Sequence, residues 1–221
     1  MIADEEAAPP PRIRVWDLPT RLFHWLLVIL FAVQWWSGKA ERIEIHVAAG
    51  LTLLGLIVFR LLWGLFGGST ARFSHFVRGP GAVIAYLRGR RGPAIGHNPI
   101  GGWSVILILL LLAVQIGLGL FASDEDYLDT GPLAHLVSFE SARALAHNHE
   151  ILFNILLGLA GLHVLAVLFY LLVRRDDRVM PMLGGTRTEV AGAEPLRPAP
   201  LWRFAGAVAL AGGVVAAVLA L

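Results

Sequence analysis

The stretch HNHEILFNILLGLAGLHVLAVLFYLLV (147–173) decides the fold, because it joins a membrane-length apolar run to histidines. A helix needs about 20 mostly apolar residues to cross the hydrocarbon core of a bilayer, and residues 151–173 meet this requirement. An ionisable side chain at membrane depth is costly and therefore functional by default. His163 is such a residue, and its alternative role is a structural hydrogen bond to another helix.

Four further apolar blocks qualify or nearly qualify as spans: 22–38, 47–66, 100–122 and 201–221. The first is short unless its helix begins near Leu18, where Asp17 suits the N-cap and Pro19 the first turn. Only 15% of the residues are charged and 57% are hydrophobic, whereas soluble domains carry roughly 25% charged residues. We therefore predict an all-α membrane protein with five transmembrane helices.

The basic residues set the predicted orientation. Of the 18 Lys and Arg residues, 15 lie in the N-terminal flank and in the second and fourth connections with their flanks. Cytoplasmic segments carry the excess of Lys and Arg, so we expect a cytoplasmic N-terminus and a periplasmic C-terminus in a bacterial inner membrane. Residues 1–14 form an acidic, Pro-rich start that does not resemble a signal peptide, and we interpret them as a short cytoplasmic tail. The acidic third connection either docks a basic partner or is a solvated loop.

Helix geometry selects among the eight histidines. At 100° per residue, His149 and His163 lie about 40° apart on one helix face, whereas His147 and His163 lie about 160° apart. The rise between His149 and His163 is about 21 Å, most of the hydrocarbon thickness. Two haems, one near each membrane surface, need this spacing, and a single zinc ion does not. The histidines of the connections are expected to be ordinary surface residues: His75, His97, His135 and His147.

Each haem then needs a second axial ligand at matching depth on a facing helix. His46 begins the second span on the outer side and pairs with His149. His24 lies near the cytoplasmic start of the first span and pairs with His163. These four histidines are the predicted axial ligands of two haem irons, and no catalytic residue is predicted.

Three neighbouring residues are candidates for contacts with the porphyrins. Gly50 lies one turn after His46, where the absence of a side chain lets a macrocycle approach the helix. Arg60 and Arg21 share faces with His46 and His24, respectively, and are candidate partners for haem propionates. For Arg60 the alternative is snorkelling to the cytoplasmic surface.

Several motifs resemble the prokaryotic cytochrome b561 family, which includes the b-type cytochrome subunits of nickel–iron hydrogenases. They are VWDLPTRLFHW (15–25), FRLLWG (59–64), ARFSHFVRGP (71–80), GHNPIGGW (96–103), and HE (149–150) followed by LHVLAVLFY (162–170). The resemblance implies a four-helix transmembrane bundle, two haems b with two histidine ligands each, and electron exchange with the quinone pool. The ligand positions of the family fall on the four histidines that helix geometry selects.

The resemblance covers residues 15–184, and the residues after Gly184 depart from the family pattern. Residues 185–200 are expected to form a cytoplasmic linker, and residues 201–221 an additional C-terminal helix. Small residues recur in this last segment in a row suited to close helix packing: Ala205, Ala209, Gly213 and Ala217. We interpret the segment as a plain anchor or a docking surface for a partner subunit.

The predicted function is electron transfer between a redox partner and the quinone pool in a respiratory chain. Cysteine is absent, which excludes iron–sulfur clusters and covalently attached haem in this chain. Two histidines on each iron leave no open position for oxygen or substrate. The expected partners are membrane lipid, quinone, and a redox protein such as a hydrogenase or a c-type cytochrome, and not nucleic acid. The sequence is also compatible with a homo-oligomer.

Two other functions are compatible with the residues. The chain could be a haem-bearing membrane anchor subunit of a hydrogenase or c-type cytochrome complex, with no activity of its own. It could also be a transporter that uses its histidines for protons or metal ions. Whether the chain itself oxidises quinol or reduces quinone is left open by the sequence.

Overall fold

Five long helices dominate the computed structural model, which describes residues 11–90, 96–124, 126, 129–188 and 194–221. Most of the predicted N-terminal tail (1–10), part of the linker (189–193), residues 91–95 and three loop positions (125, 127 and 128) lie outside the described residues. The elements occur in this order: β1 (Arg12–Arg14), α1 (Leu18–Lys39), α2 (Ile43–Phe66), α3 (Phe73–Phe76), α4 (Pro80–Leu87), α5 (Pro99–Leu120), α6 (Phe139–Leu172), α7 (Val179–Gly184), β2 (Thr186–Thr188) and α8 (Leu201–Ala220). Short 3₁₀ turns lie at Ser69–Ala71 and Ala134–Leu136.

Five helices of the described chain are long and apolar enough to cross a membrane: α1, α2, α5, α6 and α8. This confirms the predicted fold class. We call the end at which α1, α5 and α8 begin the inner end of the bundle, and the opposite end the outer end. The inner end is the one that the basic residues predict to be cytoplasmic.

Side-chain caps fix the beginnings of α1 and α5. Asp17 is the N-cap of α1, and its carboxylate accepts a hydrogen bond of 2.9 Å from the backbone N–H of Thr20. Asn98 does the same for α5, because its side-chain oxygen accepts from the N–H of Gly101 at 2.7 Å. A proline comes after each cap in the first turn, where its missing N–H costs nothing. The predicted helix start near Leu18 is confirmed.

The fourth spanning helix is longer than its apolar run. α6 begins at Phe139, where Ser138 accepts a hydrogen bond from the N–H of Ser141, and not near residue 151. Residues 139–150 are too polar to count toward a span, but they carry good helix formers and come directly after the capping Ser138. His149 therefore lies well inside a helix and not at its first turn.

α2 is the central helix of the bundle, because it contacts α1, α5 and α8. α5 in turn contacts α6. The apolar core between them is built by residues of all four helices of the predicted bundle: Phe23, Leu53, Ile57, Leu109, Leu112, Ile116 and Leu156. A second cluster joins α2 to α8 and contains Phe59, Trp63, Ala207 and Ala211.

The row of small residues in α8 is not the face that packs on α2. The buried small residues are Ala207 and Ala211, which pack in the cluster that contains Phe59 and Trp63. The predicted row begins two residues earlier, and two residues correspond to about 200° on a helix. All four members of that row, from Ala205 to Ala217, are exposed.

A two-stranded sheet closes the inner end. β1 pairs antiparallel with β2, with Ile13 opposite Arg187. The last residues assigned to the tail and the first residues of the linker are thus paired with each other. The backbone N–H of Val15 continues the contact by donating to the carbonyl of Gly185 at 2.8 Å. This sheet ties the start of α1 to the chain that comes after α6.

Candidate functional site

A cavity between α1, α2, α5 and α6 lies near the outer end of the bundle. It has about 650 Å³ of space between atoms, including the part that opens to the bundle surface. Apart from two histidines and two glutamines, its lining is apolar. The rings of His46 and His149 face each other across it, with centroids 6.1 Å apart and planes inclined by 73°.

Both imidazoles have Nδ1 within hydrogen-bond distance of another group of the protein. His46 Nδ1 lies 3.2 Å from the hydroxyl of Ser37, and His149 Nδ1 lies 2.9 Å from the backbone carbonyl oxygen of Gln115. A carbonyl only accepts, so His149 carries its proton on Nδ1. Nε2 of that ring is therefore the unprotonated nitrogen, which is the form that binds a metal.

The spacing of the two rings fits one iron between them. Imidazoles that bind a metal from opposite sides with bonds of about 2 Å have centroids about 6 Å apart, and the observed distance is 6.1 Å. Gly50 lines the same cavity. Its missing side chain keeps the wall open, and an added Cβ there would lie 3.1 Å from the amide nitrogen of Gln34.

The structure places His149, and not His147, opposite His46. His147 is exposed and belongs to a depression on the outer surface of the molecule. That depression is lined mainly by polar side chains: Ser123, Asp124, Glu140, Arg143, His147 and Glu150. Within the described ranges there is no group of three or more His, Asp or Glu side chains that could hold a metal ion.

The second histidine pair lies toward the inner end and is less closed than the first. His24 is half-buried, and its Nδ1 is buried without a hydrogen-bond partner. His163 is exposed on α6. Within the part of the chain that the structure describes, no hydrogen bond joins these two side chains.

Arg60 is buried in the core beside the inner pair, with 3% of its surface exposed. Its guanidinium lies 5.0 Å from the ring centroid of Phe73 and donates a hydrogen bond of 3.3 Å to the carbonyl of Ala71. No carboxylate of the described residues forms an ion pair with it. The alternative that Arg60 snorkels to the surface is therefore wrong, and the side chain is a buried cation with no carboxylate of the described residues at ion-pair distance.

Arg21 is oriented toward the inner end of the bundle. Its guanidinium donates a hydrogen bond to the carbonyl of Leu183 in α7, and its Nε is buried without a partner. Next to it, Trp25 donates to the carbonyl of Met182 at 3.3 Å. These bonds hold the first turns of α1 against α7.

His97 is a residue of the inner end whose environment the sequence did not reveal. Its ring packs against Trp16 and Phe76, with centroids 4.9 Å and 4.7 Å away, and its Nδ1 is buried without a hydrogen-bond partner. Burial, and to a smaller extent the positive charge of nearby groups, lowers the pKa of His97 to about 3; these groups are Arg60, Arg178, His163 and His24. His97 is therefore neutral. The influence of Arg60, His163 and His24 on its pKa shows that His97 lies near all three. The motif GHNPIGGW (96–103), which contains His97, is the one feature of the sequence that could have drawn attention to this residue.

Five membrane-length helices and a histidine pair that faces across an apolar cavity define an all-α membrane protein suited to binding haem. The chain belongs to the prokaryotic cytochrome b561 family, whose sequence model matches residues 15–185. It is therefore a membrane electron carrier that binds haem b. α8 lies outside the matched residues.

Two relatives from one species resemble the chain. They are the "Probable Ni/Fe-hydrogenase 1 B-type cytochrome subunit" of Escherichia coli strain K12 and its counterpart in Escherichia coli O157:H7. Each is 25% identical to the chain in a match that covers 57% of this chain and 67% of the relative. No solved structure matches the chain.

Proposed function

We propose that the chain holds two haems b, each between two histidines, and transfers electrons between a redox partner protein and the quinone pool of a respiratory chain. The observation that carries this proposal is the outer pair, in which two imidazoles face each other at 6.1 Å across an apolar cavity. Haem b, when bound, supplies a one-electron carrier.

In this proposal His46 and His149 are the axial ligands of the outer haem. Their Nδ1 atoms are engaged by the protein, which leaves Nε2 for the iron. With His46 and His149 holding it from both sides, a haem bound there would keep no position open for oxygen or a substrate. The apolar wall excludes water, so the site favours outer-sphere electron transfer.

His24 and His163 are the proposed ligands of the inner haem. His163 lies 14 residues after His149 on the single helix α6, so one helix contributes a ligand to each haem. The unpartnered Nδ1 of His24 and the unpaired cation of Arg60 support a second group at this end. Arg60, together with Arg21, is the proposed partner of the haem propionates, because buried carboxylates need cationic donors.

We propose a bacterial inner-membrane location, with the N-terminus in the cytoplasm and the C-terminus in the periplasm. The distribution of Lys and Arg supports this orientation. The outer haem would then lie near the periplasm and the inner haem near the cytoplasm. Electrons would cross most of the membrane thickness between them.

A second candidate function is a haem-bearing anchor subunit of a hydrogenase or c-type cytochrome complex. The name of the two relatives, a hydrogenase cytochrome subunit, favours it. The helix α8, which lies beyond the family match, would then be an additional membrane anchor or a docking surface. The two functions are separated by reconstituting the purified chain in liposomes. If the chain alone oxidises quinol, the first function is supported. If quinol is oxidised only when a co-purified periplasmic redox protein is present, the second function is supported.

The ligand assignment is tested with matched histidine variants. His149→Ala and His46→Ala should each remove one low-spin haem from the reduced-minus-oxidised spectrum. His147→Ala, two residues from His149 on the same helix, should leave both haems in place. Loss of haem from His147→Ala but not from His149→Ala would overturn the assignment.

A further inference from the structure

α1 and α5 carry equivalent residues at equivalent positions. Both helices have 22 residues and begin after a capping side chain, Asp17 in one and Asn98 in the other. A glutamine lies 17 residues after each cap, at Gln34 and Gln115. Because both helices begin at the inner end, this shared spacing brings both glutamines to a similar depth near the outer end.

Each glutamine holds the backbone of a predicted ligand. Gln34 Nε2 donates to the carbonyl of His46 at 3.1 Å, and Gln115 Nε2 donates to the carbonyl of His149 at 3.0 Å. Both glutamines line the cavity with these histidines, and Gln115 is buried. A carbonyl inside a helix already accepts one hydrogen bond, so this second donor is an addition that fixes one helix against the other.

A glycine stands four residues after each glutamine and lies against the imidazole. A Cβ added at Gly119 would lie 2.8 Å from Cε1 of His149, and one added at Gly38 would lie 3.4 Å from Cε1 of His46. The His149 ring therefore occupies space that any other residue at 119 would fill. At Gly38 the contact is looser, at an ordinary van der Waals distance.

The two Nδ1 atoms have partners of different strength. When His46 binds a metal through Nε2, its Nδ1 carries the proton, so the Ser37 hydroxyl accepts from it at 3.2 Å and donates to the carbonyl of Gln34 at 3.3 Å. His149 donates to a backbone carbonyl at the shorter distance of 2.9 Å. Donation from Nδ1 raises the basicity of the metal-binding nitrogen, and the shorter bond makes His149 the more basic ligand of the pair.

We infer that these residues form two clamps, Gln34 with Ser37 on His46 and Gln115 with Gly119 on His149, that orient the outer ligands and lower the potential of the outer haem. The inference rests on the proposed function, because it takes His46 and His149 as ligands. All four clamp residues are positioning residues: they act through the imidazoles.

The glycine of the second clamp has a matched control on its own helix. Gly119→Ala places a methyl group against the His149 ring, whereas Gly117→Ala adds the same group where no atom lies within 4 Å. We expect Gly119→Ala to change the low-spin ferric EPR signal of one haem and to weaken its retention about 10-fold. Gly117→Ala should retain the wild-type signals of both haems.

The role of Ser37 in the first clamp is tested by a substitution that removes its hydroxyl group and adds no atom. Ser37→Ala removes the acceptor of His46 Nδ1, so the ligand becomes less basic and the potential of the outer haem should become more positive. Ser104→Ala is the control, because that hydroxyl donates to the carbonyl of Gly101 in the first turns of α5 and Ser104 does not line the cavity. A role in stability alone would lower the melting temperature and leave both potentials unchanged.

The outcomes separate this inference from the proposed function. Two haems in the wild type, with Gly119→Ala indistinguishable from Gly117→Ala and unchanged potentials in Ser37→Ala, would overturn the clamps and leave the proposed function in place. A wild type without haem would overturn both. A shift confined to the haem that His149→Ala removes supports the clamps.

Discussion

The buried histidine of the inner end makes the stability of the protein depend on pH in a defined direction. The pKa of His97 is lowered from 6.5 to about 3, mainly by burial. Between these two values the unfolded chain binds a proton at this residue and the folded chain does not. Stability therefore falls as the pH falls from about 6.5 toward 3, and it is fully present above 6.5.

The size of the effect can be worked out from the shift. Each pH unit below 6.5 lowers the free energy of unfolding by up to about 1.4 kcal/mol for a single proton. Lowering the pH from 6.5 to 4.5 should therefore lower the free energy of unfolding by about 2.5 kcal/mol. The cause is structural, because the ring lies between Trp16 and Phe76 and its Nδ1 has no acceptor. A proton there would also be repelled by Arg60 and Arg178.

His97→Phe isolates this contribution, because phenylalanine keeps an aromatic ring and cannot bind a proton. Thermal unfolding of the detergent-solubilised protein would be measured from pH 7 to pH 4.5 in the wild type and in the variant. We expect the variant to lose less stability than the wild type over this range by about 2 kcal/mol. The same replacement at the exposed His147 is the control. Parallel pH profiles for wild type and His97→Phe would refute the reasoning.

Three other substitutions test contacts around the inner end. Arg60→Met should lower the affinity for the inner haem by about 10-fold to 100-fold, since hydrogen bonds to charged groups contribute about 1.5–3 kcal/mol. Arg60→Lys keeps the positive charge and should retain part of this affinity. Haem titration measures the affinity of both variants. Asp17→Ala removes the cap of α1 and the acceptor of Trp63 Nε1 at 3.0 Å, and should cost about 2 kcal/mol in thermal unfolding. Gly64→Ala should cost about 1–3 kcal/mol in the same assay, because the methyl group would overlap the ring of Phe73.

Each of these three substitutions has a contradicting outcome. Equal haem affinity in wild type and Arg60→Met would remove the proposed propionate contact. Asp17→Asn keeps a capping oxygen, so it should be milder than Asp17→Ala; equal losses would count against the cap. Gly212→Ala, inside α8 where the added methyl group meets nothing within 4 Å, is the control for Gly64→Ala and should not destabilise the protein.

Local and periodic signals were sufficient for the spans and for the outer histidine pair. The start of α1 was predictable because Asp17 and Pro19 act within a single turn. The choice of His149 over His147 needed only the angle between residues on one helix. In a regular helix the direction of a side chain follows from its position along the helix, so His149 and not His147 shares the face of His163.

Features that depend on contacts between distant segments were not predictable. The face of α8 that packs on α2 is decided by the positions of Phe59 and Trp63, and a row of small residues does not reveal them. The environment of His97 is built by Trp16 and Phe76, which come from other segments of the chain. The pairing of β1 with β2 joins segments separated by most of the sequence.

The content of haem in the purified chain tests the central claim most directly. A pyridine haemochrome assay combined with a protein determination gives the number of haems b per polypeptide. The account predicts two, both low-spin in the ferric EPR spectrum because histidine occupies each axial position. One haem per chain, or none, would contradict it.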